Sequence, residues 1–209
     1  MCAERQAVRW SVALILALLC CLNAHGRELL LDPEYSRVRF SIPVLWLFHR
    51  EGDFSDLALH VDVDDATGLA DIEARVQVAS ARMDNPADVA TLKSRDYFDA
   101  LTHPEIRFTA SAVPLAVLRD GGELAGQLSL RGVTREVRFR IAPDPCDYAA
   151  LSYCPFELAG AIQRHDYGMN ARRGILGDEV SVAIRIVPAE ASAGAAPRAA
   201  TATVQPPEH

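Results

Sequence analysis

The stretch GQLSLRGVTREVRFRI, Gly126 to Ile141, alternates apolar and polar residues on both sides of a glycine. Leu124, Gly126, Leu128 and Leu130 share one face, and Val137, Phe139 and Ile141 resume the same period after Arg131, Gly132, Val133 and Thr134. Gln127, Ser129, Arg138 and Arg140 occupy the other face. Successive side chains of a strand point to opposite sides, so this is a β-hairpin with water on one face and apolar material on the other. The rest of the chain must supply that apolar partner.

Working outward, the same period recurs. Tyr35 to Val44 reads as a first strand with Val38, Phe40, Ile42 and Val44 inward, and Pro43 should bend or end it. Trp46, Leu47 and Phe48 form an apolar crossover. Gly52 and Phe54 then open a second strand through Leu57, Leu59, Val61 and Val63, and the phase jump between Phe54 and Leu57 predicts a bulge at Ser55 and Asp56. A third strand holds Ile72, Ala74, Val76 and Val78. Asn85 and Pro86 supply a cap and a first helical residue for a short helix to about Ser94. Ile106, Phe108, Ala110 and Ala112 mark a fourth strand, the hairpin gives the fifth and sixth, Phe156 to Ile162 a seventh and Val180 to Ile186 an eighth. The expectation is an all-β fold of eight antiparallel strands, closed into a barrel or folded into a sandwich, with a short helix between strands 3 and 4.

Residues 1–26 read as an export signal, with Arg5 and Arg9 ahead of an apolar run from Trp10 to Leu22 and small residues before a cut near Arg27. The run is shorter than the ~20 residues of a spanning helix. An uncleaved anchor and a lipoprotein cut at Cys20 or Cys21 are the rival readings, and all three place the protein outside the cytoplasm; the expected compartment is the periplasm. Residues 27–188 form the expected folded domain. Residues 189–209, rich in Ala and Pro, cannot build a core and are expected to be disordered. After cleavage only Cys146 and Cys154 remain, and an even pair in an oxidising compartment reads as a disulfide, with two free buried thiols as the alternative.

The formal net charge of −7, with arginines interleaved with acids along the strands, argues against a nucleic-acid partner. His165 and Asp166 are adjacent, but no G-x-S-x-G elbow or H-E-x-x-H helix is present and the inward strand positions are uncharged. An enzyme would therefore have to work at a rim. Arg164, Asp166, Tyr167 and Met169 end the seventh strand, either as an Arg–Asp pair fixing a glycine turn or as a rim that meets a ligand head group. Arg172 and Arg173 could neutralise a phosphate there. No catalytic residue, metal site or cofactor is expected.

The segments LDPEYSRVRFSI, Gly52 with Phe54, TLKSRDYFDALTHPEIRFTAS, GQLSLRGVTREVRF and RHDYGM, in this order, resemble the YceI-like family of exported bacterial proteins, from Leu29 to Pro188. The resemblance implies an extended lipocalin-like barrel whose apolar interior holds an isoprenoid chain, such as a polyprenyl lipid or a quinone tail. Where the family commonly has a histidine near the end of the first strand, this sequence has Val44. The interior residues expected to line the ligand are Phe40, Ile42, Val76, Phe108, Ala110, Leu128, Phe139, Phe156, Gly160 and Ile162. From the residues alone the interior stays open to two readings: the large phenylalanines favour filling, whereas Ala74, Ala110, Ala112, Gly126 and Gly160 favour space. The expected role is an exported lipid carrier or store, against a rim enzyme or a packed stress protein without ligand; a homodimer is compatible with all three.

Cys146 and Cys154 should resist alkylation in the native protein until reductant is added, and removing the bridge should cost about 2 to 3 kcal/mol for so short a loop. Ready alkylation of the oxidised native protein would count against the pairing.

Overall fold

The computed structural model describes residues 26–143 and 155–189. The expected leader up to His25, the Cys146 and Cys154 pair, and the tail from residue 190 lie outside the described residues. The strands are β1 (Gly26–Leu29), β2 (Arg37–Val44), β3 (Phe48–Phe54), β4 (Leu57–Asp64), β5 (Leu69–Gln77), β6 (Ala81–Arg82), β7 (Glu105–Pro114), β8 (Gly122–Leu130), β9 (Val133–Ile141), β10 (Phe156–Gln163) and β11 (Glu179–Ile186). Helix α1 spans Pro86–Lys93 and α2 spans Leu115–Asp120.

All strands belong to one antiparallel sheet in the order β1-β4-β5-β7-β8-β9-β10-β11-β2-β3-β6. The founding hairpin is β8 and β9, in register from Gly122↔Ile141 to Leu130↔Val133. Its turn is tighter than the sequence suggests. Only Arg131 (φ 52°) and Gly132 (φ 73°) form it, the left-handed pair that a two-residue hairpin demands, while Val133 and Thr134 are already in the ladder.

The sheet curls because its two ends are one piece of chain. β3 pairs with β2, β4 pairs with β5, and only Ser55 and Asp56 separate β3 from β4. The phase jump expected as a bulge is thus a full strand break that carries the chain from one end of the sheet to the other. The amide of Gln77 donates to the Asp56 carbonyl at 3.0 Å across this corner. A 3-10 turn at Val78–Ser80 then lets the chain pair β6 with β3. β1 covers the remaining edge of β4, and Ser36 ties the segment before β2 to the one after β11 by donating to the Val187 carbonyl (3.0 Å) and accepting from its amide (2.9 Å).

Among the described residues eleven strands therefore stand where eight were expected. The additions are β1, the division of the second strand, and the short β6 after the third. Helix α1 begins at its expected cap, with the Asn85 side chain accepting from the Ala87 amide at 3.0 Å, but β6 places it between the sixth and seventh strands. Helix α2 was not expected; its Leu118 is buried in one cluster with Val113, Leu124 and Ile141. A bulge unforeseen in the sequence lies between Ala70 and Ile72 on β5. There the Asp71 carboxylate accepts the amide of Ala112, whose φ is 53°.

Inward glycines carry a second structural role. A Cβ on Gly160 would meet Phe139 Cδ1 at 2.6 Å and the Arg138 carbonyl at 2.9 Å; one on Gly126 would meet Phe108 Cε2 at 2.6 Å; one on Gly52 would strike the Phe40 ring. Phe40 lies directly across from Gly52 and Phe139 across from Gly160 in the ladder. Each ring thus lies against a glycine of a neighbouring strand. Gly160→Ala should destabilise the protein by about 1 to 3 kcal/mol, because the collision includes backbone that cannot yield. Thermal melts should show Phe139→Leu in the Gly160→Ala background recovering part of that loss relative to the additive expectation; strict additivity would contradict the seating.

Candidate functional site

The curled sheet encloses a cavity of about 370 Å³, within the ~300–1,000 Å³ range of small-molecule sites. Its wall is built from the alternating inward positions, and these are often only half-buried within the protein. β10 shows this, with Phe156, Leu158 and Ile162 partly accessible from the inside while Glu157, Ala159 and Ala161 face out. A filled interior would bury such residues completely. The core is correspondingly divided into three apolar clusters placed around the lumen, including one at Phe40, Phe54, Val76 and Ala81 and one at Leu128, Val137, Phe139 and Met169.

Of the expected interior residues, Phe40, Ile42, Val76, Phe108, Leu128, Phe139, Phe156 and Ile162 line the cavity. Ala110 and Gly160 do not. Ala110, 4% exposed, is packed in the wall with Ala70 and Val113, and Gly160 is covered by Phe139. The glycines are thus not empty lumen; they receive rings that would otherwise project toward the axis. Phe108 and Phe139 meet edge to face, with centroids 5.7 Å apart, along this wall.

The lining residues that are also exposed are Arg50, Arg172 and Ile175, which fixes the mouth at one end. There the tip of the β2–β3 hairpin, α1 and the segment 169–177 converge. Val44 lines the cavity at this end and bridges Leu176; the amide of Leu45 donates to the Ile175 carbonyl at 2.8 Å. Asp88 and Thr91 of α1 are the other polar lining groups close by, with Asp88 Oδ2 3.7 Å from Arg50 Nη1. Among the described residues Arg172 makes no side-chain hydrogen bond or ion pair. It is a solvated cation at the opening.

Tyr97, 9% exposed, also lines the cavity, and its buried hydroxyl has no hydrogen-bond partner among the described residues. A buried hydroxyl left unpaired is costly, so a polar partner would be stabilising at this place in the wall. Sequence reasoning missed Arg50, Asp88, Thr91 and Tyr97. Tyr97 lies in a quoted motif, but nothing in its own spacing distinguishes a cavity tyrosine from a core one.

The expected rim is mostly not a rim. Arg164, 3% exposed, does not pair with Asp166. Its guanidinium donates to the carbonyls of Gly177 (2.8 Å), Met169 (2.6 Å), Ala171 (2.8 Å) and Leu176 (3.2 Å), clamping the whole mouth segment. Tyr167 and Met169, 2% and 5% exposed, are core residues, although Met169 also touches the cavity. Burial, with the Asp166 carboxylate adding to it and Arg135 opposing, pushes the Tyr167 phenol up to about 12. Asp166 stays exposed on the outside, 3.2 Å from His165 Nε2. The other ring nitrogen of His165 contacts Asp178, so both nitrogens face carboxylates and neither is directed at a nucleophile.

A curled antiparallel sheet around an apolar cavity with a polar mouth is consistent with a lipocalin-like barrel. The family model of the YceI-like domain matches residues 30–187, and the chain belongs to that family. Among solved structures it is similar to BcnA of Burkholderia cenocepacia, with 22% identity over 75% of this chain and 98% of that one and a TM-score of 0.61. It is also similar to a polyisoprenoid binding domain of Saccharophagus degradans implicated in plant cell wall breakdown (14% identity, 76% and 95% of the two chains, TM-score 0.57). The YceI protein of Campylobacter jejuni gives 21% identity, 64% and 81% coverage and a TM-score of 0.53. These likenesses concern the fold. No curated protein sequence matches the chain.

Arg164→Met should destabilise by about 2 to 4 kcal/mol, since it leaves buried carbonyls unpaired, whereas Asp166→Asn should change stability by no more than about 0.5 kcal/mol. Denaturant midpoints of the two variants provide the check; equal, small effects would contradict the clamp.

Proposed function

We propose that the protein is an exported, periplasmic carrier or store for an isoprenoid-type lipid, a polyprenyl chain or quinone tail, which it binds without chemistry. The observation that carries this reading is the apolar lumen walled by strand side chains and opened beside Arg50 and Arg172. Each methylene moved from water into such a lumen contributes about 0.8 kcal/mol, so a long chain is held by burial with few polar contacts. Arg172, exposed at the opening, is the group suited to an anionic head-group oxygen. The family and the polyisoprenoid-binding neighbour support binding over catalysis. So does His165, whose ring nitrogens are engaged by carboxylates outside the lumen.

Native mass spectrometry of the protein purified from its own host should detect a co-purifying isoprenoid; an adduct-free protein from lipid-replete cells would count against the proposal. Ala74 lines the lumen, whereas Ala110 is sealed in the wall. Ala74→Leu should therefore lower lipid content while leaving the melting temperature of lipid-free protein nearly unchanged, and Ala110→Leu should cost about 1 to 3 kcal/mol. A large loss of stability for Ala74→Leu with lipid content intact would oppose the open lumen.

A further inference from the structure

Next to the mouth the chain does something energetically unfavourable. The β2–β3 hairpin turns through Leu45 (φ 51°) and Trp46 (φ 64°), two bulky residues in the left-handed region that glycine or asparagine would occupy more easily. The same tip exposes apolar side chains: Leu45 51%, Trp46 87%, Leu47 79% and Phe48 65%, joined by Ile175 at 49% from the neighbouring segment. Backbone strain and exposed apolar surface in one place are both costs to the isolated protein, and strain of this kind is concentrated at functional positions.

Cations flank the patch. Arg50 follows the tip, Arg172 has no side-chain partner among the described residues, and Arg173 shares a depression with Trp46 and Ile175. This cluster contrasts with a chain whose formal net charge is −7. An aromatic and aliphatic tip with arginines behind it fits the interface of an anionic bilayer, where the indole sits at head-group depth and the guanidinium groups meet phosphates. The patch is also continuous with the cavity, because Ile175 belongs to both. Among the described residues no helix is long and apolar enough to cross a membrane, so contact through this hairpin would be peripheral.

We infer that the Leu45–Phe48 hairpin tip, with Ile175, Arg172 and Arg173, is a membrane-docking surface that sets the mouth against an anionic phospholipid bilayer, so that an apolar chain passes between bilayer and lumen without crossing water. This rests on the lipid-carrier reading for its purpose, but the docking is separable from it.

The test uses the exported protein recovered from the periplasm and vesicles of phosphatidylethanolamine with a minority of phosphatidylglycerol. Trp10 lies in the expected leader, so Trp46 is then the sole indole. Wild-type protein should sediment with the vesicles, and Trp46 emission should shift to the blue. Trp46→Ser with Leu47→Ser should weaken partition by about tenfold or more. Arg172→Glu with Arg173→Glu should weaken it by about fivefold per arginine, an effect lost on uncharged phosphatidylcholine vesicles. Uptake of geranylgeraniol delivered without vesicles should be unchanged in the tip variant, while its transfer from vesicles slows. If wild-type protein docks but takes up no geranylgeraniol, the docking surface stands and the carrier reading fails. If it takes up geranylgeraniol yet neither sediments nor shifts its emission, the docking inference is overturned. It is equally overturned if the tip substitutions abolish self-association in sedimentation velocity while vesicle binding was never present, since the patch would then be an interface between copies of this chain.

Discussion

The open lumen depends on where three phenylalanine rings lie. Phe40, Phe108 and Phe139 point inward, and on an all-aliphatic wall they would meet near the axis. Instead, Gly52, Gly126 and Gly160 leave no Cβ to hold the rings off the neighbouring backbone, and each ring folds down onto it. Each ring gains contact with the neighbouring strand while still lining the cavity. Aromatic mass is thus placed in the barrel wall, which explains how a domain with so many inward phenylalanines retains a cavity of about 370 Å³.

A lumen is useful only if one end opens and stays shaped. At the far end Leu118 of α2 packs with Val113, Leu124 and Ile141 and lines the cavity. At the near end the segment after β10 buries Tyr167 and Met169, and Arg164 fixes the rest of it by collecting its carbonyls. The guanidinium suits this because it presents several fixed donors in one plane, a geometry lysine cannot reproduce. With that segment fixed, Pro43, Val44 and Leu45 dock along it, and the hairpin tip is held beside the mouth. The proposed head-group contacts and the proposed membrane contact both rely on this one buried arginine.

Much of the wall was legible in the sequence because a two-residue period states which residues share a face; Phe40, Ile42, Leu128, Phe139 and Ile162 lie where alternation puts them. What alternation does not encode is register. Whether Phe139 fills the lumen or lies on Gly160 depends on those two residues being opposite each other on different strands, a relation absent from either strand alone. For the same reason the apolar and glycine positions read as competing evidence on filling, when they act together. The strand break at Ser55 and Asp56 left only a phase jump, which a bulge explains equally well. Arg164 and Asp166 suggested a pair by proximity, but the partners of Arg164 are backbone carbonyls, which leave no mark in the side-chain pattern. Helix α2 follows a strand without a capping side chain, so no start signal announced it.

The most direct measurement is a crystal structure of the protein first stripped of lipid and then soaked with a long isoprenoid alcohol. The account predicts that the rings of Phe40, Phe108 and Phe139 rest on Gly52, Gly126 and Gly160 in both states, with chain density running through the lumen from the Arg172 end in the second. Rings swung into the centre of the lipid-free protein, closing the lumen, would contradict it.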